Sequence, residues 1–129
     1  MLHCVVVTPE RAVLDARVDF VALPMYDGEL GVLPGRAPLI GRLGYGELRT
    51  KTAEVIRRYF VDGGFAQVRR DVVTVLTQRA IPAQQLDAAA AARELEAVDN
   101  ERVISDSEYA EHQKAMARAR GMVRVAGHK

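Results

Sequence analysis

The sequence predicts an α+β chain in two successive parts: an all-β sandwich or barrel over residues 1–82, then an antiparallel helical hairpin over residues 83–129. Three observations predict it. Residues 2–80 fall into runs of about four to eight residues rich in Val, Thr, Phe and Tyr, spaced by Gly, Pro and Asp, the pattern of strands and turns. No helical stretch separates those runs, which disfavours a parallel α/β sheet. After Ile81-Pro82 the pattern changes to high helix propensity, with five consecutive Ala from Ala88 to Ala92.

Taken in order, LHCVVV is β-branched and stops at Thr8-Pro9. AVLDARVDFVALP reads as an extended run ending at Pro24. DGELGVLPGRAPL, Asp27 to Leu39, holds three Gly and two Pro threaded with apolar residues. The Gly and Pro predict β-corners, and Leu30, Val32, Leu33, Ala37 and Leu39 are expected in the core. Glu29 is expected at the first turn. The glycines of GRLGYG (Gly41 to Gly46) are expected in tight turns rather than a phosphate loop, because they match neither G-x-G-x-x-G nor G-x-x-x-x-G-K-[ST]. GELRT, EVIRRYFV, FAQVRR and VVTVLTQ complete the strands, with a hairpin expected across Val61-Asp62-Gly63-Gly64.

In the second part Pro82 and Asp87 lie near the entry of a first helix, as helix starts favour. Its Ala-rich strip carries Leu86, Leu95 and Val98. A break follows at Val103-Ile104-Ser105-Asp106. Ser105 and Glu108 then predict a capping box opening a second helix that runs to about Val125. Gly121 is expected to weaken that helix by about 1 kcal/mol relative to Ala. At 100° per residue, Tyr109, His112, Ala115, Met116, Ala119, Met122, Val123 and Ala126 share one side, and Lys114, Arg118, Arg120 and Arg124 the other. An isolated pair of such helices is marginal, so docking on the sandwich or on a partner is expected.

Charge and composition narrow the function. Eighteen basic against seventeen acidic residues give a net charge of +1, and basic–aromatic interleaving is lacking, so nucleic acid is not an expected partner. No apolar run reaches the roughly 18 residues of a membrane span, and MLHCVVVTPER does not fit a secretion signal, so a soluble, intracellular chain without membrane insertion is expected. The one cysteine, Cys4, reads as a small buried strand residue. His3, His112 and His128 are too scattered for a metal motif, and Ser105 and Ser107 are better explained by capping than by nucleophilicity. No catalytic constellation, metal or cofactor is implied. Asp87 to Glu111 holds eight acids and two bases, whereas Lys114 to Lys129 holds five bases and no acid. The two halves are expected to attract when the hairpin is folded, and the basic segment to seek another acidic surface when it is released.

DGELGVLPGRAPLIGRLGYGELR followed by VDGGFAQVRRDVVTVLTQRA resembles the ε subunit of bacterial F-type ATP synthase, called δ in mitochondria. The family pattern runs GELG-x-PGHAPL, PGELR, GGF and VTVL. Gly28-Glu29-Leu30-Gly31, Pro34-Gly35, Ala37-Pro38-Leu39, Gly46-Glu47-Leu48-Arg49, Gly63-Gly64-Phe65 and Val73-Thr74-Val75-Leu76 match it in order. The resemblance implies a flattened sandwich of about ten strands followed by two helices, serving as a non-catalytic central-stalk subunit at the cytoplasmic face of the bacterial inner membrane. It implies partners in the γ subunit, the ring of c subunits and the catalytic head of α and β subunits. It places Asp27, Gly28, Glu29, Leu30 and Gly31 against the ring. It places Lys114, Arg118, Arg120 and Arg124 against acidic residues of the head when the helices extend and restrain ATP hydrolysis. Forty helical residues would reach on the order of 60 Å.

Two departures from the pattern, Arg36 for its usual His and Tyr45 for the Pro of PGELR, are expected in surface turns. A third touches chemistry. The family's nucleotide signature, [IL]-D-x-x-R-A, keeps Leu86, Asp87 and Ala91, but its arginine is Ala90 here. The alternative reading, an ATP-sensing module whose hairpin closes on nucleotide through Asp87, therefore lacks the guanidinium that grips phosphate.

Overall fold

The computed structural model describes residues 1–103 and 105–127. Ile104 of the expected inter-helix break, and His128 and Lys129, lie outside the described residues. Eight strands come first: β1 (Leu2–Val7), β2 (Ala12–Val18), β3 (Phe20–Met25), β4 (Gly28–Val32), β5 (Leu39–Thr52), β6 (Val55–Arg69), β7 (Val72–Leu76) and β8 (Ala80–Pro82). A 3-10 turn (Ala83–Gln85) leads to α1 (Ala88–Asp99) and α2 (Asp106–Ala126).

The strands form one hydrogen-bonded sheet ordered β2-β1-β7-β6-β5-β3-β4, with β8 added on β6. β1 and β7 are parallel and every other pair is antiparallel. The sheet closes over itself because β5 and β6, of 14 and 15 residues, run through both layers. Tyr59–Val61 of β6 pair with β8, and Phe65–Arg69 with β7. Eight strands thus stand where about ten were expected, each long strand serving once in each layer. Between the layers lie Leu2, Cys4 and Val6 of β1, Val73 and Val75 of β7, Leu23 of β3, Leu48 of β5 and Tyr59 and Val61 of β6. Alternate residues of each strand supply this core, as the period of two requires.

The expected hairpin at Asp62-Gly63-Gly64 is not there. β6 passes straight through, and β5 stays paired on both sides, Tyr45 with Asp62 and Leu43 with Gly64. Tyr59 and Val61 point inward, then Ala66 and Val68, so the alternation slips by one residue between them. Gly63 and Gly64 take φ of +68° and +107°, and a Cβ on Gly64 would overlap the Leu76 carbonyl oxygen. The glycines bend a continuous strand from one layer to the other; a corner and a reversal demand the same residue type. The reversals are at Ala53-Glu54, between β5 and β6, and at Arg70-Asp71, between β6 and β7. Arg70 and Asp71 both hold positive φ, as a type I′ turn requires.

The run ending at Pro24 is two strands. Asp19 separates them: its backbone N–H donates to the Lys51 carbonyl at 2.8 Å, and its carboxylate accepts from the Ala53 N–H at 2.7 Å. Pro24 lies inside β3, where pairing with β5 lapses between Ala22 and Met25, so its missing donor costs no ladder bond there. Gly41, Gly44 and Gly46 are not turn residues but lie within β5. A Cβ on them would meet Met25 or Pro24 at 2.5 to 3.3 Å, so their bareness lets β3 lie close. Of the apolar residues expected inside from Asp27 to Leu39, Val32 is buried and Leu30 and Leu39 half-buried, whereas Leu33 and Ala37 are exposed. Those two sit in the irregular segment around Pro34-Gly35, beyond the end of β4.

Asp87 caps α1, accepting from the N–H groups of Ala89 and Ala90 at 2.9 and 3.2 Å. α1 ends at Asp99, with Asn100 as C-cap, earlier than the expected break. Ser105 caps α2 as expected, its hydroxyl accepting from the Glu108 N–H at 3.2 Å. The buried side of α2 is Met116, Ala119, Gly121, Met122, Val125 and Ala126. Tyr109 is exposed, and Val125, absent from the expected face, is fully buried. A second apolar cluster ties the helices to the sandwich: Phe60 of β6 meets Ala83, Leu86, Ala91, Met122, Val125 and Ala126. Gly121, expected only to weaken the helix, lies against the Tyr45 backbone, where a Cβ would come within 2.5 Å of the carbonyl oxygen.

Candidate interaction surfaces

Three surfaces stand out. The first is the β3–β4 tip. Its turn is Tyr26-Asp27, and Glu29 lies within β4 opposite Pro24 rather than in the turn. Gly28 opens the strand at φ +137°, Leu30 packs against the core, and Gly31 faces the Phe20 ring. The Glu29 carboxylate is half exposed and accepts from Arg49 of β5 at 2.7 Å. Arg49 also approaches Glu47 at 3.9 Å, and Glu47 holds Arg58 of β6 at 2.7 Å. Glu29 is therefore the outer rung of an ion ladder across β4, β5 and β6. Tyr26, 67% exposed, belongs to this tip, with the Arg42 guanidinium 4.4 Å above its ring. Sequence reading missed Tyr26, although an aromatic directly before Asp-Gly at a loop tip is a visible signal.

The second is the outer face of the other layer. Phe65 of β6 sits opposite Leu76 of β7, Leu76 opposite Val7 of β1, and Ile40 of β5 lies one step along from Phe65. Ile40, Phe65 and Leu76 are 74%, 58% and 53% exposed, an apolar stripe across four strands. Single exposed apolar residues are ordinary; a contiguous stripe of them marks a contact surface. Sequence reading missed it too, since Phe65 and Leu76 look like core until the bend at Gly63-Gly64 sets their phase.

The third is the seat of α2. Asp62 of β6 is 8% exposed, and each of its carboxylate oxygens takes one guanidinium. Arg118 of α2 donates to Oδ1 at 2.8 Å, and Arg79 to Oδ2 at 3.0 Å. The hydrogen bond to Asp62 raises the Arg118 pKa further, against a smaller opposing effect of burial. The same guanidinium lies 5.3 Å over the Tyr45 ring. Of the four bases expected on one side of α2, Arg118 is thus engaged by the sandwich. Lys114 lies 3.8 Å from Glu111 one turn back, and Arg120 and Arg124 are exposed. His112 of α2 lies 3.7 Å from Glu101, a contact outside the expected basic segment Lys114 to Lys129. Cys4 is buried, which pushes its thiol up to about 12 and keeps it protonated packing. The nucleotide-signature positions offer little: Asp87 is turned to its own helix start, and Ala90 is exposed.

A bent β-sandwich presenting a loop tip and an apolar stripe, with a helical hairpin seated on a buried carboxylate, defines a protein of docking surfaces. Solved structures share this architecture. A chain in the Euglena gracilis mitochondrial ATP synthase (OSCP/F1/c-ring) superposes with a TM-score of 0.85 at 22% identity, over 94% of this chain and 78% of that one. A chain in the central stalk/c-ring of the Tetrahymena thermophila mitochondrial ATP synthase gives 0.77 at 11% identity, over 97% and 96%. The family model "ATP synthase, Delta/Epsilon chain, beta-sandwich domain" matches residues 1–83. The ATP synthase epsilon chain of Rhodopirellula baltica is 58% identical over 127 residues, covering 97% of this chain and 98% of that one. The chain belongs to the delta/epsilon chain family of ATP synthases.

Proposed function

We propose that this chain is a non-catalytic central-stalk subunit of a proton-translocating F-type ATP synthase, at the cytoplasmic face of the bacterial inner membrane. The γ subunit covers the stripe of Ile40, Phe65, Leu76 and Val7, and the tip from Tyr26 to Gly31 rests on the c ring. The subunit passes rotation between the ring and the catalytic head. α2 leaves its seat in some states to bring Arg118, Arg120, Arg124 and Lys114 to acidic residues of the head, restraining ATP hydrolysis. The reading is carried by the exposed stripe: a chain of this family with an apolar face on its sandwich has a surface suited to a permanent partner. The ATP-sensing alternative is not favoured, since nothing replaces the missing arginine at Ala90.

Ile40→Asp tests the γ contact. Ile40 is 74% exposed, so folding should be unaffected, whereas incorporation into the assembled synthase should fall sharply. Normal incorporation would remove the stripe from the proposal.

A further inference from the structure

We propose that Asp62 is a latch receptor built to let α2 go: it holds Arg118 in the folded state, and Arg79 keeps its carboxylate paired once Arg118 has left. The inference rests on the reading that the hairpin can leave the sandwich. Ordinarily, removing one partner of a buried ion pair strands a charge, and the resulting cost fastens such pairs shut. Asp62 escapes this because its two oxygens are divided between two guanidiniums. Arg79 belongs to the sandwich side. Its carbonyl accepts from the Thr77 hydroxyl and from the Asp62 N–H, and the Thr77 hydroxyl in turn accepts from that N–H. That half of the arrangement contains no residue of α2, so it can outlast the helix's departure.

Arg118 gains the complementary property. It is one base with two possible acidic receptors, Asp62 on the sandwich or an acidic patch on a partner, and cannot serve both. Capture of α2 by a partner therefore exchanges one charge-assisted hydrogen bond for another. What the exchange leaves uncovered is apolar: Phe60, Leu86 and Ala83, now under Met122, Val125 and Ala126.

Native-state hydrogen exchange on the full-length chain tests this, comparing α2 amides with those of β1 and β7. Asp62→Asn and Arg118→Gln should each raise the opening equilibrium of α2 about tenfold, the lower end for a hydrogen bond to a charged group because Arg118 is 36% exposed. The double variant should open no more than Arg118→Gln alone, which also loses the contact with the Tyr45 ring, and β1 and β7 should be unchanged. Arg79→Gln should lower α2 opening, because departure of Arg118 then leaves Asp62 without its second guanidinium. A merely structural role for Arg79 would raise it. Additive single effects, or increased α2 opening in Arg79→Gln, overturn the latch while leaving the mobile hairpin intact. Exchange of α2 only together with β1 and β7 in the unsubstituted chain overturns the mobile hairpin and the latch with it.

Discussion

Gly121→Ala separates helix propensity from packing, because the two predict opposite signs. On propensity alone, Ala in the interior of α2 is worth about 1 kcal/mol of added stability. In the folded protein the new methyl would lie 2.5 Å from the Tyr45 carbonyl oxygen and 3.0 Å from its carbon. Backbone cannot swing aside as a side-chain tip can. Restoring ordinary contact at about 3.5 Å means that α2 backs away by about 1 Å. That motion loosens Met122, Val125 and Ala126 over Phe60. Overpacking of this kind costs about 1–3 kcal/mol, and every 1.4 kcal/mol is tenfold in an equilibrium. The released helix suffers no clash, and the propensity gain is present in the seated helix as well, so it does not offset the clash. α2 opening, read by hydrogen exchange in the isolated chain, should rise by about 5- to 150-fold while β1 and β7 stay protected. A higher melting temperature with unchanged or slower α2 exchange would refute the packing argument.

Two further outcomes are expected. Glu29→Leu removes the outer rung of the ion ladder; a half-exposed pair of this kind is worth no more than about 1 kcal/mol, so the melting temperature should barely move. ATP-driven proton pumping should fall by more than that loss explains, and unchanged pumping would take Glu29 out of the ring contact. Calorimetric titration of the isolated chain with ATP should show weak or no binding, since Asp87 is occupied as a helix cap and position 90 carries no guanidinium; micromolar affinity would restore the nucleotide-sensing reading.

What was legible in the sequence was local. The period-two runs, the change of pattern at Pro82 and the Ser105 cap each depend on neighbouring residues, and each stands in the structure. What was not legible depends on contacts across the chain. Asp62-Gly63-Gly64 carries turn residues, yet whether such residues reverse a strand or bend it is decided by β5 and β7, which hold β6 on both sides. The same bend sets whether Phe65 faces the core or solvent, so the apolar stripe was hidden by the same ambiguity. Gly121 reads as a flaw in a helix until Tyr45 is brought beneath it. Arg118 shares a helical side with Arg120 and Arg124, and only the fold brings Asp62, 56 positions away, within reach of one of them. The proposed c-ring and head contacts rest on family resemblance, which points to the tip but not to the ladder behind it.

The most direct test is ATP-driven proton pumping by inverted membrane vesicles whose synthase carries the full-length chain, the chain truncated after Ile104, or no chain, with hydrolysis measured alongside. The core between the two layers needs no residue of α2, so the truncated chain should still fold and assemble. Pumping should collapse without the chain and return with either form, and hydrolysis should be higher with the truncated form than with the full-length one. Pumping that is equally strong with no chain present would contradict a role in coupling rotation to proton flow.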